Sequence, residues 1–258
     1  MTESVAHFFL CNHMIWHIGC SGFHYWDWKG KFYPEELPQK EWLPYYSQHF
    51  NTVEINATFY HFPKLQFLES LYKKTAASFI FTIKAPRLIT HYKKFNDCES
   101  LISDFYEVIT KGLKEKLGCV LFQLPPSVIY SKEKLNQLIK NLDSSFQNVI
   151  EFRHRSWWNG HVYSTLGKNK ICFCGISHPT LPDNIIINTT FAYYRLHGSV
   201  QLYRSSYRKE TLKRLAGKIE ENKRVKQVYI YFNNDYHAVG AENAKQLLEY
   251  VNSGKVFS

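Results

Sequence analysis

The sequence predicts an α/β fold, a single (β/α)8 barrel of the TIM type over residues 14–258, on three observations. First, 258 residues suit one such barrel. Length alone also fits two small domains, but no Gly/Ser/Pro-rich stretch reads as a linker. Second, eight short runs of β-branched and aromatic residues alternate with longer helical patterns, the rhythm of parallel strands joined by crossover helices. Third, most of these runs carry aliphatic residues on one face and polar residues on the other, always toward the C-terminal end.

Taken in order, the strands are expected at Ile15 to Cys20, Thr52 to Ala57, Phe79 to Lys84, Cys119 to Leu124, Asn148 to Arg153, Ile171 to Gly175, Ala192 to His197 and Gln227 to Asn233. Apolar-periodic segments between them predict helices near Lys40 to His49, Lys64 to Thr75, Glu99 to Lys116, Lys132 to Phe146, Asn159 to Leu166, Arg208 to Asn222 and Ala238 to Val251. The connection Ser177 to Thr190 is interrupted by prolines and is expected to lack a regular helix. Residues 1–13 read as an N-terminal extension without the basic segment or cleavage site of a signal peptide. No apolar run approaches membrane-spanning length, so no membrane partner and a cytoplasmic location are expected.

The six cysteines, Cys11, Cys20, Cys98, Cys119, Cys172 and Cys174, form no C-x-x-C pair and lie mostly in apolar runs. Free buried thiols in a reducing compartment follow, rather than disulfides or a zinc site. Lys and Arg number 32 against 22 Asp and Glu, a net charge of +10 that favours anionic partners. Part of that charge, including Lys213, Arg214, Lys218, Glu220 and Glu221, reads as the solvated face of one helix.

The alternation within strands names a candidate site. Glu54 and Asn56 oppose Val53 and Ile55; Glu151 and Arg153 oppose Ile150 and Phe152; Arg195 and His197 oppose Tyr194 and Leu196; Tyr231 and Asn233 oppose Ile230 and Phe232. Lys84 ends the third strand and Gln123 the fourth, where Pro125-Pro126 forces an extended exit. In a TIM barrel the C-terminal rim holds the active site. Glu54 and Glu151 are therefore candidate acid and base, with His197 as the alternative proton carrier. Lys84 supplies a point charge or, if desolvated beside cations, a nucleophilic amine. Arg153 and Arg195 present planar forks for phosphate or carboxylate.

Around these catalytic candidates, the expected binding set is Ser21, Asn56, His91, Gln123, Arg153, His154, Arg195 and Asn233. Burial of so many charges requires that part of the set form mutual salt bridges, while an ion-pair network merely filling the mouth would leave the same pattern. Glu151, His154, His197 and His91 have the chemistry for a divalent metal, but the interleaved Lys84, Arg153 and Arg195 oppose one, so no metal or other cofactor is expected. In the loop from Gly19 to Trp28, and at Trp157 and Trp158, the aromatic rings either cap the core or stack on a sugar or base.

These segments together resemble the YecE-like family of TIM barrels, known as domain of unknown function 72. The resemblance rests on Gly19-Cys20-Ser21-Gly22-Phe23 with Tyr25 and Trp28, Phe32-Tyr33-Pro34, Thr52-Val53-Glu54-Ile55-Asn56 with Thr58-Phe59-Tyr60, and Lys84 with Thr90-His91. It continues through Gln123-Leu124-Pro125-Pro126, Glu151-Phe152-Arg153-His154 with Ser156-Trp157, Arg195-Leu196-His197-Gly198 with Tyr203, and Phe232-Asn233-Asn234. It implies the barrel fold and supplies no reaction. Phe23 stands where the family commonly has tryptophan, and His61 where it commonly has arginine.

Two functional expectations follow. One is an enzyme acting by acid/base chemistry on a small anionic substrate, phosphorylated or carboxylated, at the rim. On that reading Glu54→Gln and Arg195→Ala abolish ligand stabilisation and leave the fold largely intact. The alternative is a nucleic-acid-binding or nucleic-acid-processing barrel, with or without a metal, in which basic residues neutralise phosphates and exposed rings stack on bases.

Overall fold

The computed structural model describes residues 14–253; the expected N-terminal extension, residues 1–13 with Cys11, lies outside the described residues. The fold is α/β, with two wholly parallel sheets in a barrel-like arrangement. One sheet has the order β1 (Ile15–Cys20), β9 (Gln227–Phe232), β8 (Phe191–Leu196), β7 (Gly175–Ser177). The other runs β2 (Thr52–Ile55), β3 (Ile80–Lys84), β4 (Leu117–Gln123), β5 (Gln147–Glu151), β6 (Cys172–Phe173).

Eight strands were expected and nine are present among the described residues, because the sixth run is interrupted at Cys174, leaving β6 at the edge of one sheet and β7 at the edge of the other. Cys174 N–H still donates to Ile150 O at 2.9 Å, continuing the β5–β6 ladder to the break. The opposite meeting of the sheets, β1 with β2, has only an isolated bridge between Ser21 and Glu54. Side chains do the rest of the stitching there. Tyr46 hydroxyl accepts from Cys20 N–H at 2.7 Å and donates to Thr52 O at 3.0 Å. Asn51 accepts from Ile18 N–H at 3.2 Å and donates to Trp16 O at 2.8 Å. Gly19 permits this approach, since a Cβ there would lie 2.1 Å from Thr52 O.

The helices are α1 (Trp42–His49), α2 (Ala57–Tyr60), α3 (Leu65–Lys73), α4 (Glu99–Leu113), α5 (Lys132–Asn141), α6 (Gly160–Lys168), α7 (Lys209–Glu220) and α8 (Val239–Asn252). Each longer one turns an apolar stripe inward, as α4 does with Ile102, Phe105, Ile109 and Leu113. Side-chain caps set two starts: Ser131 Oγ accepts from Lys134 N–H at 3.1 Å, and Asn159 Oδ1 from Val162 N–H at 3.0 Å. Lys213, Arg214, Lys218 and Glu221 are exposed around α7, while Glu220 is half-buried. The stretch 178–190 forms no helix. Among the described residues no helix is long and apolar enough to cross a membrane.

Alternation along the strands produces two separate cores. Outward residues such as Ile18, Val53, Ile83, Phe122, Ile150, Leu196 and Phe232 pack with the helices. Inward residues, among them Cys119, Leu121, Val149, Cys172, Cys174, Tyr193, Tyr229 and Tyr231, form a second cluster between the sheets. Toward the N-terminal ends His17 stacks on Tyr229 with ring centroids 4.5 Å apart, and Tyr229 hydroxyl reaches Gln147 Oε1 at 3.0 Å. Above them Tyr231 hydroxyl sits between Thr52 and Thr82 hydroxyls at 2.7 and 2.8 Å. Polar groups thus thread the interior between the sheets, up to the charged residues at the C-terminal ends.

Candidate functional site

Those charged residues divide by depth. In the deeper layer Ser21, Glu54, Glu151, Arg195 and His197 are each at most 1% exposed. Arg195 in β8 stands between two carboxylates: Nη2 donates to Glu54 Oε1 at 2.6 Å and Ser21 Oγ at 2.8 Å, and Nη1 to Glu151 Oε2 at 2.5 Å. Ser21 hydroxyl donates to Glu54 Oε1 and also accepts from the Asn56 amide at 3.0 Å. Tyr193, two residues before Arg195 on the same face, donates to Glu54 Oε2 at 2.5 Å. Tyr193 is absent from the expected site set, although its spacing from Arg195 marks it as inward-facing.

Glu151 completes its pairing with Arg153, whose Nε meets Oε1. His197 lies beside that contact, with Nε2 3.2 Å from Arg153 Nη2 and 3.4 Å from Glu151 Oε1. The Asn233 amide nitrogen lies 2.8 Å from His197 Nδ1. Burial, then the Arg153 charge, pushes His197 down to about 3, so the ring is neutral. Burial alone would raise the Glu151 carboxyl, but Arg153, Arg195 and His197 overcome it and hold it well below the usual carboxylate range. An acid held ionised in this way is poorly suited to proton donation near neutral pH. Arg195 is likewise enclosed: removing one partner of a buried ion set costs about 3–5 kcal/mol. Arg195→Ala is therefore expected to cost stability.

The outer layer comprises Gln123, His91, Asn56, Asn233 and the guanidinium end of Arg153, all partly accessible, together with the buried Lys84. Lys84, 8% exposed at the end of β3, donates to Gln123 Oε1 at 2.7 Å and lies 4.2 Å from the centroid of the Phe59 ring. No carboxylate of the described residues forms an ion pair with it. Burial, then Arg195 and Arg153, outweighs the pull of Glu151 and Glu54, and Lys84 is pushed down to about 7. His91, in the π-helical turn Leu88–Tyr92, packs edge-on against Phe59 and is lowered to about 4 by burial and by Lys84. Asn56 Oδ1 is buried without a protein hydrogen-bond partner.

His154 has a more local duty. Its Nδ1 meets Ser156 hydroxyl at 2.8 Å and accepts from Ser156 N–H at 3.3 Å, capping the turn Arg155–Trp157. Trp157 is core, stacked on Phe152 at 4.0 Å, as is Trp28, whereas Trp26 is 65% exposed. Among the described residues no group of three or more His, Cys, Asp or Glu is arranged to hold a metal ion. Cys20, Cys98, Cys119, Cys172 and Cys174 are free and buried, as expected. Two wide hollows, one of about 680 Å³ beside Phe50, Ser78 and Lys245 and one of about 450 Å³ beside Gln147, Lys170 and Arg224, open at the opposite, N-terminal ends of the strands.

Comparison with known proteins covers almost the whole chain. The sequence profile described as "Protein of unknown function DUF72" matches residues 17–257. UPF0759 protein YunF of Bacillus subtilis is 27% identical, aligned over 90% of this chain and 93% of its own. UPF0759 protein YecE of Escherichia coli K12 is 30% identical over 49% of this chain and 47% of its own. The crystal structure of a DUF72 family protein from Thermotoga maritima superposes with a TM-score of 0.81 at 31% identity, covering 93% of this chain and 100% of that one. A DUF72 family protein from Enterococcus faecalis gives 0.78 at 19% identity, with 94% and 97% covered. Profile, sequence and fold agree, and the chain belongs to the DUF72 family.

Proposed function

We propose that the two sheets close into a single eight-stranded TIM-type barrel, one domain, whose C-terminal mouth is a catalytic site for a small phosphorylated or carboxylated substrate. Closure is supported by the stitching of β1 to β2 through Tyr46, Asn51 and the Ser21–Glu54 bridge, and by the ladder running up to Cys174. In such a barrel chemistry belongs where the strands end.

The observation that carries the catalytic reading is the lack of a counter-charge for Lys84. Glu54 and Glu151 are matched by Arg195 and Arg153, two carboxylates against two guanidiniums. Lys84 is left over. A nearly buried ammonium without a counter-charge either loses its proton or recruits an anion, and both outcomes are useful in catalysis. Lys84 is the reacting group in this reading, its lone pair free near neutral pH to take a proton or attack an electrophile. Arg153 and Asn233 orient the anion, while Glu54, Glu151, Arg195, Ser21 and Tyr193 form the frame that fixes the field. Acid/base exchange by the two glutamates themselves is not part of it.

Thermal unfolding with inorganic phosphate, malonate and 3-phosphoglycerate tests this. A ligand at 100 times its Kd stabilises by about 2.7 kcal/mol. At least one probe is expected to raise the wild-type Tm and to leave Arg153→Met and Lys84→Met unmoved. An equal rise in both variants would place anion binding elsewhere, and no rise in any form would remove the anion site.

A second reading, nucleic-acid binding, draws on the exposed rings of Trp26, Tyr60, Tyr92, Tyr203 and Tyr236, in the segments that follow strands. Arg87 lies 5.7 and 5.4 Å from the Tyr60 and Tyr92 rings, and Arg204 4.6 Å from that of Tyr236. Retention of single-stranded DNA with a steep salt dependence, and no response to the small anions, would favour it.

A further inference from the structure

We propose that Lys84 forms a transient imine with an aldehyde or ketone that itself carries a carboxylate or phosphate, an inference that rests on the catalytic reading of the rim. Three features of the geometry favour covalent capture over simple proton transfer. The first is the kind of partner Lys84 has. Its Nζ donates one hydrogen to a neutral amide oxygen, Gln123 Oε1 at 2.7 Å, and packs over the Phe59 ring at 4.2 Å. A neutral acceptor orients an amine without locking it as an ammonium, as a carboxylate would.

The second feature is the shortage of a proton relay. A lysine acting as a base hands its proton to a second group during turnover. Glu54 and Glu151 are both taken up by guanidiniums, and His197 is fully buried between Arg153 and Asn233. His91 is tied through Nδ1 to Thr90 hydroxyl at 2.9 Å. Nucleophilic addition asks less of these neighbours, because the amine carries both protons that leave.

The third feature is the charge pattern around Nζ, set by Arg195, Arg153, Glu151 and Glu54. The guanidiniums favour the free amine before reaction. The carboxylates, which pull the other way, favour the cationic iminium that the imine becomes on taking one proton from solvent water. Arg153, less buried than Arg195, is the group able to meet the carboxylate or phosphate of the incoming carbonyl compound.

In the step itself the Nζ lone pair forms a bond to the carbonyl carbon, and the C=O π pair moves to oxygen. One amine proton reaches that oxygen to give a carbinolamine. Loss of the hydroxyl with the second amine proton, as water, leaves C=N. The balance is carbonyl plus primary amine to imine plus one water, with no change of oxidation state.

Reductive trapping tests this on the full chain. The protein is incubated at pH 7 with glyoxylate, pyruvate or dihydroxyacetone phosphate, and cyanoborohydride is added to reduce any imine to a stable secondary amine, located by peptide mass mapping. At pH 7 roughly one in two thousand exposed lysines is a free amine, against about half of Lys84, so labelling of Lys84 should exceed that of any other lysine by at least about tenfold. One adduct per chain at Lys84, abolished in Lys84→Arg and slowed by inorganic phosphate, is the expected result. Adducts spread evenly over surface lysines, or an unlabelled Lys84, would overturn the imine. If phosphate still raised the wild-type Tm in that case, the anion site would stand and the covalent step alone would fall. Circular dichroism of Lys84→Arg separates a lost nucleophile from a lost fold.

Discussion

Lys84 and Arg195 are both buried cations on the inward face of the strands, and burial treats them differently because of what lies opposite. Arg195 offers a fork whose arms are each met by a carboxylate at 2.5–2.6 Å, so its charge is kept. Lys84 faces an amide and a ring, so its charge is disfavoured. This difference has a stability signature. Lys84 is pushed from 10.5 to about 7 in the folded chain, so between those values the unfolded chain binds more protons and stability rises with pH. Below about 7 both states are protonated and the cost of the buried ammonium, on the order of 5 kcal/mol, is fully present. Lys84→Met is therefore expected to raise the denaturant midpoint at pH 6, with the gain shrinking steadily from pH 7 to 10. A gain independent of pH, or a loss at pH 6, would show that the ammonium is not strained. Period-two alternation was enough to select Glu54, Lys84, Glu151, Arg153, Arg195 and His197 from the sequence. It could not sort them, because depth and pairing depend on which strand faces which. Hence Glu151 reads as a candidate acid but is held ionised, and His154 reads as a ligand but caps a turn.

At the scale of elements, the strands were legible because β-branched runs with a polar end recur, and their observed bounds shift by only a residue or two. Asn56, Arg153, His197 and Asn233 fall just past the last residues of their strands. The break at Cys174, the short α2 and the π-helical turn at Leu88–Tyr92 left no periodic trace, being set by tertiary contacts rather than by local pattern. The β1–β2 meeting is similar: its bonds come from Tyr46 and Asn51, one on α1 and the other just before β2. Tyr46→Phe removes both hydrogen bonds of that hydroxyl and strands the Cys20 N–H, a loss of about 1–3 kcal/mol. Because this seam carries Ser21 and Glu54, the variant is also expected to weaken anion-induced stabilisation. Unfolding titrations of Tyr46→Phe equal to wild type would mean that the seam is held by other contacts.

For the molecule as a whole, the +10 net charge did not by itself locate a site, since many of those cations are solvated on helices such as α7. Buried charge is instead gathered at the C-terminal ends of the strands, where Glu54, Glu151, Arg195 and Lys84 lie beyond the cluster between the sheets. Lys84 is the lysine set there, with both carboxylates matched by guanidiniums. The exposed lysines, such as Lys40, Lys132, Lys209 and Lys223, serve as references within the same sample. The most direct measurement is competitive acetylation with trace acetic anhydride across pH 5 to 11, read residue by residue by mass spectrometry. Lys84 is predicted to reach half-maximal reactivity near pH 7, well below every exposed lysine, and to be protected by the anion that raises the Tm. Half-maximal reactivity above pH 10, in step with the surface lysines, would contradict a free amine at the centre of this site.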